Sequence, residues 1–206
     1  MKPPAKLILA GAAFMAALTT GLFAAAEVGK AAPDFALTDI NGKQVSLSDF
    51  KGKTVVLEWV NPECPIVVKH YDKSGNIPKL QKDATSDGIV WLAINSGHKG
   101  AQGDLDNDRL AEWMKKNSFA ANAYMRDRDG KVGKMYDART TPHMYVIDAK
   151  GTLVYAGGID SIQGGNPADI AKATNYVREA LKDVEDGKPV RTATSKPYGC
   201  SVKYGN

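Results

Sequence analysis

Two cysteines, Cys64 and Cys200, are the residues of this sequence best suited to covalent chemistry. Cys64 lies between an apolar run and a predicted helix, with Pro62 shortly before it and Pro65 directly after it. A thiolate at the start of a helix is stabilised by the partial positive charge of the helix end and by its free N–H groups, which lower the pKa of the thiol. Many free cysteines are inert buried side chains instead. The prolines and the helix start favour a reactive thiol at Cys64.

Cys200 follows Cys64 after 136 positions. A permanent disulfide between the two would restrict the unfolded chain and add up to about 5 kcal/mol of stability. The same bond could be transient, in which case Cys64 attacks a peroxide, becomes a sulfenic acid and is resolved by Cys200. The sequence leaves both possibilities open.

Glu58 stands six residues before Cys64 in a run that is otherwise apolar. A buried carboxylate has a raised pKa and can exchange a proton with a neighbouring thiol. The alternative is an edge position where Glu58 simply reaches water. Both interpretations are compatible with the sequence.

The elements that must position these residues alternate between strands and helices, which is typical of an α/β protein. Residues 54–60 predict a strand buried on both faces, since they are almost all β-branched or apolar. After Cys64 we predict a helix in two pieces, because Gly75 and Pro78 interrupt it. The later predicted elements are strands at 89–94, 123–125, 144–148 and 153–157, helices at 106–116 and 131–137, and a last helix that begins after Asn166 with Pro167 at its first position.

Length and composition limit the classes of protein that fit. The 206 residues favour one domain, and a net charge of +4 is too small to indicate nucleic-acid binding. Residues 1–26 predict an export signal, with Lys2 and Lys6 before an apolar stretch that ends in three alanines. Cleavage after Ala26 would leave a periplasmic or secreted protein, and an uncleaved membrane anchor is the alternative. We therefore predict a signal peptide at 1–26, one domain at 27–189 without membrane contact, and an irregular C-terminal tail at 190–206 that carries Cys200.

Three segments resemble a known family. Residues 32–60 (APDFALTDINGKQVSLSDFKGKTVVLEWV), followed by Asn-Pro-Glu-Cys-Pro at 61–65, closely resemble the opening of the redoxins, the alkyl hydroperoxide reductase/thiol-specific antioxidant family. Residues 140–148 resemble the segment with the cis-proline of thioredoxin-like proteins, and residues 198–204 resemble the C-terminal end of a peroxiredoxin-like subgroup. The resemblance implies a thioredoxin-like fold with an extra N-terminal β-hairpin. It also implies a cis peptide bond before Pro142, whose backbone edge could pair with a bound peptide beside Cys64, and an acid role for Glu58.

The sequence departs from this family at three positions. Val67 stands where a thioredoxin has its second cysteine, so the CxxC dithiol is absent. Leu57 and Asn61 stand where a standard peroxiredoxin has Pro and Thr or Ser. Ordinary peroxidase activation is therefore in doubt.

The leading hypothesis is a thiol-dependent oxidoreductase with Cys64 as nucleophile, Cys200 as resolving thiol, and Glu58 and Pro142 assisting. Its substrate would be a hydroperoxide or a protein disulfide, and an external thiol would reduce it again. We expect no cofactor, no resident metal and no nucleic-acid partner.

Two alternatives belong to other functional classes. The first is a non-enzymatic binding module stapled by a structural Cys64–Cys200 disulfide, which the missing CxxC favours. The second is a copper-handling protein, because His143 and Met144 would lie near Cys64 in a thioredoxin-like fold and supply soft ligands. His70 and His98 show no ligand spacing and are interpreted as ordinary polar residues.

Overall fold

The computed structural model describes residues 25–205, which form nine strands and five α-helices. The strands are β1 (Ala36–Thr38), β2 (Gln44–Ser46), β3 (Val55–Trp59), β4 (Val90–Asn95), β5 (Ala123–Arg126), β6 (Thr140–Thr141), β7 (His143–Ile147), β8 (Leu153–Gly157) and β9 (Cys200–Ser201). The α-helices are α1 (Pro65–His70), α2 (Asn76–Ser86), α3 (Asn107–Lys116), α4 (Lys131–Met135) and α5 (Tyr176–Glu185). Within this part of the chain no helix is both long and apolar enough to cross a membrane. The predicted export signal lies outside the described residues, apart from its last two.

The core of the molecule is a five-stranded sheet in the order β5-β4-β3-β7-β8. The strands β3, β4 and β5 run parallel to one another, whereas β7 is antiparallel to both β3 and β8. All five residues of the central strand β3 are buried, as the apolar run predicts. This is the predicted thioredoxin-like fold, and the predicted N-terminal hairpin is formed by β1 and β2.

Hydrophobic cores lie on both faces of this sheet. Side chains alternate along a strand, so Val56 and Glu58 point to one face while Leu57 and Trp59 point to the other. The first face is covered by α2, α3 and α5 and also contains Cys64. The thiol therefore lies over the same face of β3 as the Glu58 carboxylate.

The helix is broken after α1, as the sequence predicts. Of the two residues expected to break it, Gly75 does so and Pro78 does not. Gly75 has a φ of +62°, a left-handed conformation that suits glycine, and it separates α1 from α2. Pro78 does not interrupt a helix, because it is the third residue of α2. In the first turn a missing N–H removes no intrahelical hydrogen bond.

The last helix begins later than predicted. Residues Pro167–Asp169 form only a short 3-10 helix, and α5 begins nine residues after Pro167. Asn175 ends the intervening segment because its side chain caps α5, accepting a hydrogen bond of 2.9 Å from the N–H of Arg178. Asn175 also forms an antiparallel bridge with Asp160. The residues before α5 are thus held in a bridge rather than in the first turns of a helix.

Residues 190–205 are irregular apart from β9, and they pack along the domain. Thr194 forms a parallel bridge with Ala156 in β8. Further on, β9 pairs antiparallel with β6, which places Cys200 opposite Thr141. The tail therefore crosses the molecule from one edge of the sheet to the Cys64 region.

Candidate active site

Cys64 lies where the central strand passes into the first helix. It is the N-cap residue of α1, and Pro65 occupies the first helical position, where its fixed φ favours helix formation. The loop before it is tightened by Asn61, whose side-chain oxygen accepts a hydrogen bond of 2.9 Å from the N–H of Glu63. The Cys64 side chain is fully buried. The strand-to-helix position predicted for the thiol is therefore present, with the tail packed over it.

Cys64 contacts both Cys200 and the backbone before Pro142. Both cysteines are free thiols, and the N–H of Cys200 lies 3.4 Å from Sγ of Cys64. The Cys64 thiol donates a hydrogen bond of 3.0 Å to the carbonyl oxygen of Thr141, and the peptide bond between Thr141 and Pro142 is cis. The structure thus brings Cys64, Cys200 and the edge before Pro142 into direct contact.

Gly199 permits this close approach of the tail. Its φ of +134° lies in the region that favours glycine, and a Cβ atom added there would overlap the carbonyl oxygen of Thr141. A side chain at position 199 would therefore push β9 away from β6 and from Cys64.

The pKa values of the two thiols are shifted in opposite directions. Burial alone would raise the pKa of Cys64, but hydrogen bonds from the Cys200 thiol and from the N–H groups of Val67 and Cys200 outweigh it, so that its pKa is lowered. Burial raises the pKa of Cys200 to about 11, and the neighbouring Cys64 adds to this increase. Cys64 is therefore the thiol that ionises first, and Cys200 keeps its proton beside it.

Glu58 is completely buried, so the alternative in which it reaches water at an edge is wrong. Its carboxylate accepts hydrogen bonds from the Tyr71 hydroxyl at 2.8 Å, from Nε1 of Trp91 at 2.8 Å and from Nε2 of Gln81 at 3.0 Å. Burial raises its pKa to about 7, although the three donors oppose the increase. Within the described residues these donors are its hydrogen-bond partners, and Cys64 is not among them.

A second polar cluster is formed by His70, Tyr198 and Asp160, and the sequence interpretation missed it. His70, interpreted as an ordinary polar residue, is fully buried, and its Nε2 atom lies 3.1 Å from the hydroxyl of Tyr198. That hydroxyl donates a hydrogen bond of 2.6 Å to Asp160. The helical spacing carried a signal, because His70 is three residues after the buried Val67 and falls on the same face of α1.

The residues of the copper hypothesis are engaged in other contacts. Met144 packs in the same hydrophobic core as Cys64. Nδ1 of His143 accepts a hydrogen bond of 3.3 Å from the N–H of Arg139 and lies 3.1 Å from the Tyr145 hydroxyl, which donates its proton to the carbonyl of Tyr136. Burial lowers the pKa of His143 to about 4. Between residues 25 and 205 no group of three or more His, Cys, Asp or Glu side chains is arranged to hold a metal ion.

Comparison with known proteins finds one matching family and several similar proteins named thiol-disulfide oxidoreductases. A model of the AhpC/TSA family matches residues 28–156, a range that includes Glu58, Cys64 and Pro142 and stops before Cys200. The thiol-disulfide oxidoreductase ResA of Bacillus subtilis (strain 168) is 31% identical over 127 residues, which is 61% of this chain and 64% of that protein. The chain thus spans slightly less than two thirds of that relative.

Two further proteins are similar over more of the chain. The thiol-disulfide oxidoreductase ResA of Bacillus thuringiensis (strain Al Hakam) is 42% identical over 152 residues, covering 72% of this chain and 80% of that protein. A crystal structure of a hypothetical protein from Sinorhizobium meliloti 1021 superimposes with a TM-score of 0.72 at 26% identity, over 87% of this chain and 95% of the other.

Proposed function

Because the chain belongs to the AhpC/TSA family, we propose that it is a thiol-disulfide oxidoreductase in which Cys64 is the nucleophile and Cys200 the resolving thiol. The observation that carries this proposal is the position of Cys200, whose N–H lies 3.4 Å from Sγ of Cys64 while both thiols are free. The names of the Bacillus relatives support the same reaction class.

The exchange proceeds in two steps. The Cys64 thiolate attacks one sulfur of a substrate disulfide, forming a mixed disulfide and releasing the other substrate sulfur as a thiolate. Cys200 then loses its proton and attacks Sγ of Cys64, which releases the second substrate thiolate and leaves a Cys64–Cys200 disulfide. Two electrons and two protons pass from the protein to the substrate, and an external thiol restores the dithiol.

The acidities of the two thiols support this order of attack. The lowered pKa of Cys64 makes it the attacking group, and the raised pKa of Cys200 keeps that thiol protonated in the meantime. Once Cys64 is in a mixed disulfide its negative charge is gone, and one cause of the raised pKa of Cys200 disappears. Glu58, with a pKa of about 7, is proposed to hold or receive a proton on this face of the sheet during the exchange.

The edge before Pro142 has a proposed role in substrate binding. The carbonyl of Thr141 accepts from Cys64, and the β6 backbone pairs with β9. When β9 withdraws, the same edge offers hydrogen bonds to an extended substrate segment beside the thiol. This arrangement suits a disulfide carried by a peptide or protein.

Hydroperoxide reduction is a second candidate, favoured by the complete burial of Cys64, which a small oxidant reaches more easily than a protein does. The thiolate would attack the peroxide oxygen, releasing an alcohol or water and forming a sulfenic acid. Condensation with Cys200 would then release water and form the same disulfide. Asn61 takes no part in this reaction, because both ends of its side-chain amide are engaged in the loop. Its oxygen accepts a hydrogen bond from the N–H of Glu63, and its NH₂ group donates to the carbonyl of Gln102.

We also propose that the protein is exported, with cleavage of residues 1–26 after Ala26. The basic and apolar pattern of that segment supports this proposal. Cleavage there would remove the hydrogen bond of 3.0 Å from the N–H of Ala26 to the carbonyl of Met135. Determining the N-terminal residue of the protein from an extracytoplasmic fraction tests the proposal, and a chain that keeps Lys2 and Lys6 would contradict it.

The decisive experiment uses the reduced protein treated separately with oxidised glutathione and with hydrogen peroxide. After quenching by alkylation, mass analysis without reductant counts free thiols. Rapid loss of both thiols within one monomer is expected in the wild type, while Cys64→Ser should stay unreacted at Cys200 and Cys200→Ser should stop at the glutathione adduct. Two free thiols with both oxidants would overturn the proposal. A reduction potential below about −300 mV would indicate the structural staple instead.

A further inference from the structure

We infer that Tyr198, held by Asp160 and His70, is a positioning residue that keeps the Cys200 segment docked over Cys64 in the reduced protein. The inference rests on the proposed function, since it concerns how the resolving thiol reaches the nucleophile. Tyr198 is two residues before Cys200 in the tail, and the sequence between them is the single residue Gly199.

The anchor is a chain of three hydrogen bonds. The Tyr198 hydroxyl donates to Oδ1 of Asp160 at 2.6 Å, so its oxygen is free to accept from Nε2 of His70 at 3.1 Å. Nδ1 of His70 in turn accepts from the side-chain amide of Asn76 at 2.9 Å. These partners define a neutral His70 with its proton on Nε2. The Tyr198 hydroxyl and both ring nitrogens of His70 thus each have a hydrogen-bond partner.

The anchor connects the two thiols through rigid structure. His70 is the last residue of α1, and Cys64 caps the first turn of the same helix. A hydrogen bond from His70 to Tyr198 therefore fixes the tail relative to the helix that presents the nucleophile. At Cys200 itself the β6–β9 pairing is only two residues long. After it the tail is held by backbone hydrogen bonds of Val202 to Arg139 at 3.0 Å and of His98 to Lys203 at 2.8 Å.

Stability alone does not account for this cluster. Nζ of Lys69 and Oδ2 of Asp160 are buried, and neither has a hydrogen-bond partner among residues 25–205. Buried charged groups that are incompletely paired cost free energy, and apolar replacements commonly do as well or better. Lys69 nevertheless faces the ring of Tyr198, with Nζ 5.6 Å from the ring centroid. Lys69, His70 and Asp160 thus converge on one side chain of the tail, which indicates that docking of that side chain is what the cluster provides.

The chain offers a matched control in Tyr204, a second tyrosine of the tail. Its hydroxyl donates a hydrogen bond of 2.7 Å to the backbone carbonyl of Ala138, away from the charged cluster. Tyr204→Phe therefore removes one tail hydroxyl of the same kind without touching the proposed anchor.

The test uses the aromatic disulfide of Ellman's reagent, which reports both steps in one assay. Attack by Cys64 releases one thiolate of the reagent and leaves a mixed disulfide, and attack by Cys200 releases the second thiolate together with a proton. In Tyr198→Phe the first phase should become about tenfold faster, because the tail opens more often, and the second should become several-fold slower, because Cys200 returns less often. Asp160→Ala, which removes the acceptor from the other side, should reproduce both changes.

The opposite direction of the two changes separates positioning from a general loss of stability, which would expose Cys64 without slowing resolution selectively. Unchanged phases in Tyr198→Phe, or the same changes in Tyr204→Phe, would overturn the inference while leaving the proposed function intact. A wild-type protein that releases thiolate but forms no Cys64–Cys200 disulfide would overturn the proposed function, and the inference with it.

Discussion

Replacing Glu58 by Gln should change how stability depends on pH. Burial raises the pKa of Glu58 from 4.5 to about 7, so between these values the native protein binds a proton that the unfolded chain does not hold. The stability contributed by this proton is fully present below pH 4.5 and is lost as the pH rises through 7. At about 1.36 kcal/mol per pH unit, the full effect is about 3.4 kcal/mol, of which about 2.5 kcal/mol falls between pH 5 and pH 8.

Glutamine is the right replacement because it keeps the shape and removes the titration. Its amide oxygen can accept from Trp91 and Gln81, which both donate to Oε2 of Glu58, while its NH₂ can donate to the oxygen of Tyr71. The hydrogen-bonding capacity of the site is thus largely preserved, and what changes with pH is the charge.

The assay is urea unfolding of wild type and Glu58→Gln at pH 5 and at pH 8. The difference between the unfolding free energies of the two proteins at each pH cancels the contributions of the histidines and of the other titrating groups that both proteins contain. The variant should gain about 2.5 kcal/mol relative to the wild type between pH 5 and pH 8. If the difference between the two proteins is the same at both pH values, Glu58 does not titrate near neutrality and the reasoning from its burial is wrong.

Three further predictions concern the thiols and the buried histidine. Cys200→Ala should raise the pKa of Cys64, since the thiol hydrogen bond that lowers it is removed, and the pH of half-maximal alkylation of Cys64 should move upward; an unchanged midpoint would contradict this. Gly199→Ala should make alkylation of Cys64 at least about tenfold faster, because the new Cβ overlaps a backbone carbonyl and lifts the tail, whereas Gly165→Ala, with no atom within 4 Å of its added Cβ, should have little effect. Burial lowers the pKa of His70 from 6.5 to about 3, so its contribution to stability is present above pH 6.5 and is lost on acidification. Between pH 6.5 and pH 5 the free energy of unfolding of His70→Gln in urea should therefore fall by about 1.6 kcal/mol less than that of the wild type. Equal decreases in the two proteins would refute this prediction.

The sequence was most informative where one local pattern determines the structure. The apolar run before Cys64 predicts a buried central strand because few other environments accept so many β-branched residues in succession. The resemblance at 140–148 implied the cis peptide before Pro142, and the structure contains it. The sequence left open whether a Cys64–Cys200 bond is permanent or transient, and nothing local in it relates residues 136 positions apart.

The features that sequence reasoning missed depend on contacts between distant segments. His70 is buried because Tyr198 and Asp160, from two other parts of the chain, close over it. The late start of α5 follows from the bridge between Asp160 and Asn175, which competes with helix formation in the residues before it. Helical periodicity describes one segment at a time and cannot report such pairings.

Both edge strands of the central sheet are partly covered by segments outside the sheet, and this coverage limits self-association. The hairpin end lies against β5 through the bridge between Asp39 and Met125, while β8 is flanked by Ala31 at its start and Thr194 near its end. Uncovered edge strands are templates for pairing with another chain. The same tail that carries Cys200 thus shields the β8 edge. Any event that strips the whole tail away, such as proteolysis near residue 190, would expose that edge and promote aggregation together with the loss of the resolving thiol.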